Sequence, residues 1–278
     1  MPIKGDGSSA NTFTTNWSNV ISKVELLVGG QVIDEQDSTY STLIAPALSA
    51  GNSSKSLGGS LYDGATSSKF YPLRFFFCEN WQSALPLISL QYHDVELRIT
   101  WGSEAAASKW EIYANYAYLD TQEREFFAAN PQNMIITQVQ KAIASDAKIQ
   151  ELNFNHPVKY LAAGDATNVT MVSTAGNKLK LQINGTDVSD YKFADPNFTS
   201  VPLYYHTTNA NNVRGTKLFV YPFCLDTAKL QPTGSLNFSR LDSARIINDT
   251  ANSDKDIYAV NYNVLRIENG MGGLLYSN

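Results

Sequence analysis

The chain is poor in the residues that do chemistry and has no run long enough to enter a membrane. Among 278 residues there are three histidines, His93, His156 and His206, and two cysteines. Histidine is the commonest general base and metal ligand near neutral pH, so its scarcity counts against an enzyme. Cys78 and Cys224 stand far apart in apolar, strand-like runs and read as buried free thiols; two cysteines cannot build a disulfide framework. No apolar stretch approaches the ~20 residues of a membrane span, and Met1-Pro2-Ile3-Lys4-Gly5-Asp6 lacks the apolar centre of a signal peptide. Positive charge is short as well. Lys and Arg number 21 against 26 Asp and Glu, a net charge of −5, and no basic run is interleaved with aromatics. Nothing concentrates a field suited to direct nucleic-acid binding.

What is present is a β pattern. Hydrophobic residues make up 43% and aromatics 12%, which excludes a chain disordered throughout. Val95, Leu97, Ile99 and Trp101 alternate with Glu96, Arg98 and Thr100, giving one apolar and one wet face. Trp110, Ile112, Ala114, Tyr116 and Tyr118 repeat that period, as do Leu179, Leu181 and Ile183. Gly29-Gly30 and Asn184-Gly185 each interrupt such runs with two residues suited to a tight hairpin. Further strands are predicted over 69–77, 133–141, 148–154, 157–163, 216–224, 235–246 and 256–268. In the last of these the apolar phase changes at Val264/Leu265, which predicts a bulge there. Helix signals are few: Asp120 with Glu123 predicts a capped helix over 121–129 closed by Pro131, and a short helix is predicted over 38–43 before Pro46. Many short strands without an alternating β–α order predict an all-β sandwich or barrel. The Gly/Ser-rich stretch 51–68 reads as a long exposed loop, and 142–147 as a domain boundary.

The candidate chemical motifs do not assemble. His93-Asp94-Val95-Glu96 looks like a ligand set, but on a strand His93 points away from Asp94 and Glu96. The His-x-Asp/Glu spacing of metal-dependent double-stranded β-helix enzymes fails because position 95 is valine. There is no Gly-x-Ser-x-Gly elbow. Gly270-Met271-Gly272-Gly273 lacks the following helix of a phosphate loop and reads as a flexible C-terminal turn. No catalytic, cofactor-binding or metal-binding residue is nominated. Of seven Asn-x-Ser/Thr sequons, Asn52 in the exposed loop is the candidate for glycosylation. Arg240 and Asp242 are a candidate strand-edge ion pair. Tyr204, Tyr205 and 209–212, within 187–215, are candidates for an outer or contact surface.

Five stretches resemble the major capsid protein of the nucleocytoplasmic large double-stranded DNA viruses, the group of phycodnaviruses, iridoviruses and mimivirus relatives. They are VELLVGGQVID over 24–34, LPLISLQYHDV over 85–95, FNHPVK over 154–159, LQPTGSLNFSRLD over 230–242, and YAVNYNVLRI over 258–267, with GMGGLLYSN closing the chain. The segments occur in the family's order. The resemblance implies two consecutive jelly-roll sandwiches, a double jelly roll, over 1–142 and 148–278. Compared with the family, the first jelly roll is expected to lack its N-terminal strands. It implies a homotrimer forming a pseudo-hexagonal capsomer of an icosahedral shell, with neighbouring capsomers and minor capsid proteins as partners. It implies no cofactor, no small-molecule substrate and no direct nucleic-acid contact. The protein is expected in the virion, assembled in the host cytoplasm. A second reading, a lectin-like β-sandwich that stacks sugars on some of its 15 tyrosines, stays open on composition alone.

Overall fold

The computed structural model describes residues 1–5, 17–48, 70–103, 105, 110–207 and 217–277. The strands among them are β1 (Pro2–Gly5), β2 (Ile21–Val28), β3 (Gln31–Asp37), β4 (Phe70–Pro72), β5 (Val95–Trp101), β6 (Trp110–Ile112), β7 (Gln132–Ala142), β8 (Ile149–Glu151), β9 (Pro157–Gly164), β10 (Lys178–Ile183), β11 (Thr186–Asp187), β12 (Lys192–Phe193), β13 (Leu218–Pro222), β14 (Leu236–Asn237), β15 (Ala244–Asn248), β16 (Ile257–Glu268) and β17 (Met271–Leu274). The two longest α-helices among them are α1 (Thr121–Ala129) and α2 (Ser200–His206).

Packing divides the chain into two units. One holds the described parts of Met1–Thr42, Gly58–Gln138 and Asn263–Asn278; the other holds those of Leu43–Leu57 and Val139–Tyr262. The sequence suggested a boundary over 142–148. The packing division changes at Gln138/Val139, and the closing residues belong to the first unit.

In the first unit, β2 lies between β3 and β5, and β1 between β4 and β6, all antiparallel. The Gly29-Gly30 hairpin forms as expected, with both residues at positive φ and Val28 paired with Gln31. The wet face of this sheet carries ions in cross-strand register. Glu25 lies opposite both Glu35 and Arg98, and Lys23 bonds Glu25 and Glu35 at 3.2 Å each. The dry face of β5 packs Val95, Leu97 and Ile99 against a core built from Ile21, Val24, Leu26, Ile33, Tyr71 and Phe75. Ile3 is also buried there, so the polar-looking start contains a strand that its four residues were too few to announce.

In the second unit, β10 lies between β11 and β15, β15 pairs β8, and β9 pairs β13, β14 and the first part of β16. Asn184-Gly185 makes the expected turn, again with both φ positive. The core gathers Leu161, Ala163, Leu179, Leu181, Phe219 and Ile246. Beside it a buried asparagine holds a loop. Asn177 donates to the Met171 carbonyl at 2.6 Å, and its side-chain oxygen accepts from the backbone of Thr250 and Ala251.

Several expectations are corrected. The bulge predicted at Val264/Leu265 lies instead at Val260/Asn261, and Leu265–Glu268 pair with β17 in unbroken register. Residues 257–263 are all buried, so their phase carries no information about facing. Two of them, Asn261 and Asn263, are polar and are held by Gln140 and Gln138 at 2.9 Å. The C-terminal glycines are not a loose turn: Asn269-Gly270, both at positive φ, close a third hairpin and Met271–Leu274 is a strand. The helix predicted before Pro46 continues through it to Leu48. Pro46 sits in the first α-turn after a π-type turn, where its missing N–H is tolerated. The strand predicted over 235–246 is split by a turn at Phe238–Arg240, where the Asn237 side chain accepts from the Ser239 N–H.

Candidate assembly surfaces

The sequence candidates for chemistry are occupied with structure. His93 Nδ1 lies 3.0 Å from the Gly272 carbonyl oxygen, and a Cβ on Gly29 would fall 2.3 Å from the same ring atom. The imidazole therefore fills the space beneath the Gly29-Gly30 turn. His156 is buried at positive φ at the entry to β9, and its N–H donates to Ser239 Oγ at 2.7 Å. His206 ends α2 with Nδ1 2.8 Å from the Cys224 carbonyl. Among the described residues, no three His, Cys, Asp or Glu side chains are placed to hold a metal ion. None of the helices described there is long and apolar enough to cross a membrane. Cys224 is buried, Cys78 half-buried, and both are free thiols whose pKa burial pushes up. Arg240 and Asp242 are exposed and do not pair with each other. Asn52, the loop 51–68 and the asparagines at 209–212 lie outside the described residues.

What the molecule offers outward is apolar surface in discrete patches. In the second unit, Tyr204 and Tyr205 of α2 are both largely exposed and meet edge to face at 4.9 Å. On the outer side of β10, Lys178 lies over Phe193 and Lys180 over Tyr191, at 4.8 and 4.6 Å from the ring centres. Lys180 also bonds Asp187 at 2.5 Å. That hydrogen bond raises the Lys180 ammonium pKa and lowers that of the Asp187 carboxyl, which Gln182 lowers further. Asp187 is exposed and Lys180 half-buried, so water screens the pair and it fixes geometry more than it stabilises.

In the first unit an exposed tract follows β6. The period-two pattern runs to Tyr118, yet the ladder stops at Ile112, one position short of Pro2 on β1, whose nitrogen has no N–H. Tyr113, Tyr116 and Tyr118 are 52%, 65% and 95% exposed. Helix α1 follows with its predicted capping box. Asp120 accepts from the Glu123 N–H at 2.9 Å while Glu123 accepts from Asp120, yet none of its nine residues is buried. Trp81, on the turn Trp81–Ser83, adds a further exposed ring.

These surfaces have relatives. The family model for the large eukaryotic DNA virus major capsid protein matches residues 123–273, and that for the major capsid protein N-terminus matches 2–172. The major capsid protein of Pyramimonas orientalis virus is 33% identical over 98% of this chain and 80% of its own length. That of Paramecium bursaria Chlorella virus 1 is 30% identical over 98% and 82%. The structure of PBCV-1 VP54, fitted into a reconstruction of the virophage Sputnik, superposes with a TM-score of 0.80 at 28% identity, covering 100% of this chain and 88% of that one. The major capsid protein of Faustovirus shares the fold at 10% identity, with a TM-score of 0.59 over 96% of this chain and 74% of that one. The all-β double jelly roll expected from the sequence is the fold of this molecule, and the lectin alternative gains no support. With two family models and two relatives of 30% identity or more spanning nearly all of it, the chain belongs to the major capsid protein family of large eukaryotic DNA viruses.

Proposed function

We propose that the chain is a shell-building subunit that closes into a homotrimer, a pseudo-hexagonal capsomer that tiles an icosahedral virion with neighbouring capsomers and minor capsid proteins. The observation that carries this reading is the fold match to PBCV-1 VP54 over the whole chain. Exposed aromatic surface supports it, because soluble monomers rarely display large apolar patches. The work is burial of complementary surface and requires no turnover, cofactor, small-molecule substrate or direct nucleic-acid contact. The two jelly rolls are proposed to span 1–142 and 148–278. Assembly is proposed in the host cytoplasm, and Asn52 is proposed as a modification site.

Light scattering on the purified chain, with negative-stain images of the same fractions, tests the reading. A mass of three chains and roughly hexagonal particles is the expected result. A monomer at every concentration, or a monomer retained on a glycan array, overturns it.

A further inference from the structure

We infer that Lys159 and Tyr262 form a binding site for one small monovalent anion, of the size of chloride, enclosed within the second unit. Lys159 is 5% and Tyr262 7% exposed, and the ammonium stands over the phenol ring at 5.7 Å from its centre. The backbone aims it there. In the β9–β16 ladder Tyr160 pairs with Val260 and Val158 with Asn261, so Lys159 is the extra residue of the bulge. On its other side the strand is fixed by the Phe223 N–H, which donates to the Lys159 carbonyl at 3.0 Å.

Both groups have donors to spare. An ammonium carries three N–H donors, and Lys159 gives one, to the Lys229 carbonyl at 3.2 Å. The Tyr262 hydroxyl finds no partner among the described residues. Buried donors of this kind call for a water or an ion. Charge chooses between them. Among the described residues no carboxylate lies within ion-pair distance of the ammonium. Asp226 accepts from the Ala228 N–H at 2.8 Å and lies 4.0 Å from the Lys229 ammonium instead, and burial keeps Cys224 a neutral thiol. A buried cation without a counter-charge is costly; a water leaves most of that cost in place, whereas an anion offsets it. Geometry sets the size. An ammonium over the ring centre stands on the order of 6 Å from the hydroxyl oxygen. One acceptor atom bridges that span with two hydrogen bonds of about 3 Å.

Urea unfolding of the 278-residue chain at pH 7 and constant ionic strength, with chloride replacing gluconate, tests the site. Raising chloride from about 1 to about 100 mM is expected to increase the folded-to-unfolded ratio about tenfold, as for a Kd on the order of 10 mM. Lys159→Met needs no counter-charge and is expected to show no chloride effect, so the lead it holds over wild type in gluconate closes as chloride rises. Tyr262→Phe keeps the ring and loses one donor; with affinity about fivefold weaker, its chloride effect is expected to fall to about threefold. Crystals grown in bromide should show anomalous scattering within about 3.5 Å of both Lys159 Nζ and Tyr262 Oη. A wild type indifferent to chloride, an undiminished effect in either variant, or crystals without bromide at those two atoms overturns the inference. None of these outcomes bears on the trimer, which is read from mass.

Discussion

The ammonium nitrogen of Lys159 lies 5.7 Å from the centre of the Tyr262 ring, and both side chains are buried in the second unit. The amine donates to the Lys229 carbonyl at 3.2 Å, and among the described residues no carboxylate lies within ion-pair distance of it. Burial lowers its pKa below 10.5, against the opposing charges of Cys224 and Asp226. Between the lowered folded value and 10.5 the unfolded chain holds a proton that the folded chain has released, so stability rises with pH across that window. Below it, the full cost of burying the ammonium is present. Lys159→Met is expected to be about 1 kcal/mol more stable than wild type at pH 7. Urea unfolding at a series of pH values should show that advantage shrinking as pH rises toward 10.5.

The Tyr262 hydroxyl is buried with no hydrogen-bond partner among the described residues, and burial pushes its pKa up to about 12. An unsatisfied buried hydroxyl costs roughly 1–3 kcal/mol, so Tyr262→Phe is expected to stabilise the protein by about 1 kcal/mol near neutral pH. The sign at high pH is opposite to that of Lys159. A group whose folded pKa is raised contributes stability below its unfolded value near 10, and that contribution is lost as pH climbs toward 12. Tyr262→Phe should remove this loss, so the gap between variant and wild type widens above pH 10 in the same unfolding series.

These two residues also show where sequence reading stops. Local chemistry was legible: Gly29-Gly30 and Asn184-Gly185 needed positive φ, Asp120 and Glu123 were spaced to cap, and Val95–Trp101 alternated because one face is wet. Nothing local shows that Lys159 is buried, because its position is set by β13 and β16 pairing across β9. The same holds for the short strand at Pro2–Gly5, which is held by pairing with 70–72 and 110–112 rather than by its own pattern. Residues 114–118 fail in the other direction, alternating like a strand although among the described residues they join no sheet. Asn269-Gly270 carries the same two-residue turn signal as Asn184-Gly185, and the glycines after it belong to β17. The assembly role was legible through resemblance, since exposure of tyrosines is a tertiary property that composition does not encode.

Asn177 ties the turn after the Thr170–Ser173 helical turn to the loop beyond β15. Its side-chain nitrogen reaches Met171 and, at 3.2 Å, Asn248, while its oxygen accepts from Thr250 and Ala251 at 3.1 Å. Asn177→Ala strands several buried donors and acceptors at once, for an expected loss of roughly 2–4 kcal/mol. Equilibrium unfolding should show a lower midpoint with an unchanged denaturant slope. Asn177→Asp keeps one acceptor but turns a buried carboxylate oxygen toward the Met171 and Asn248 oxygens, so it should lose at least as much as Asn177→Ala at neutral pH.

Helix α1 provides the opposite case. Its capping box satisfies two backbone donors, and Ser89 Oγ donates to its Phe127 carbonyl at 2.6 Å, yet the helix buries no residue of its own. A nine-residue helix is marginal by itself, so its order depends on those few bonds. Asp120→Ala removes a cap worth about 1 kcal/mol. With no core contact to lose, that cost appears as local fraying and not as global unfolding. Hydrogen exchange of the 121–129 amides is expected to speed up about fivefold, while the melting temperature stays within error of wild type. An equal fall in global stability would mean that α1 is packed into the cooperative unit, and Asp120→Asn, which retains the accepting oxygen, should restore most of the protection.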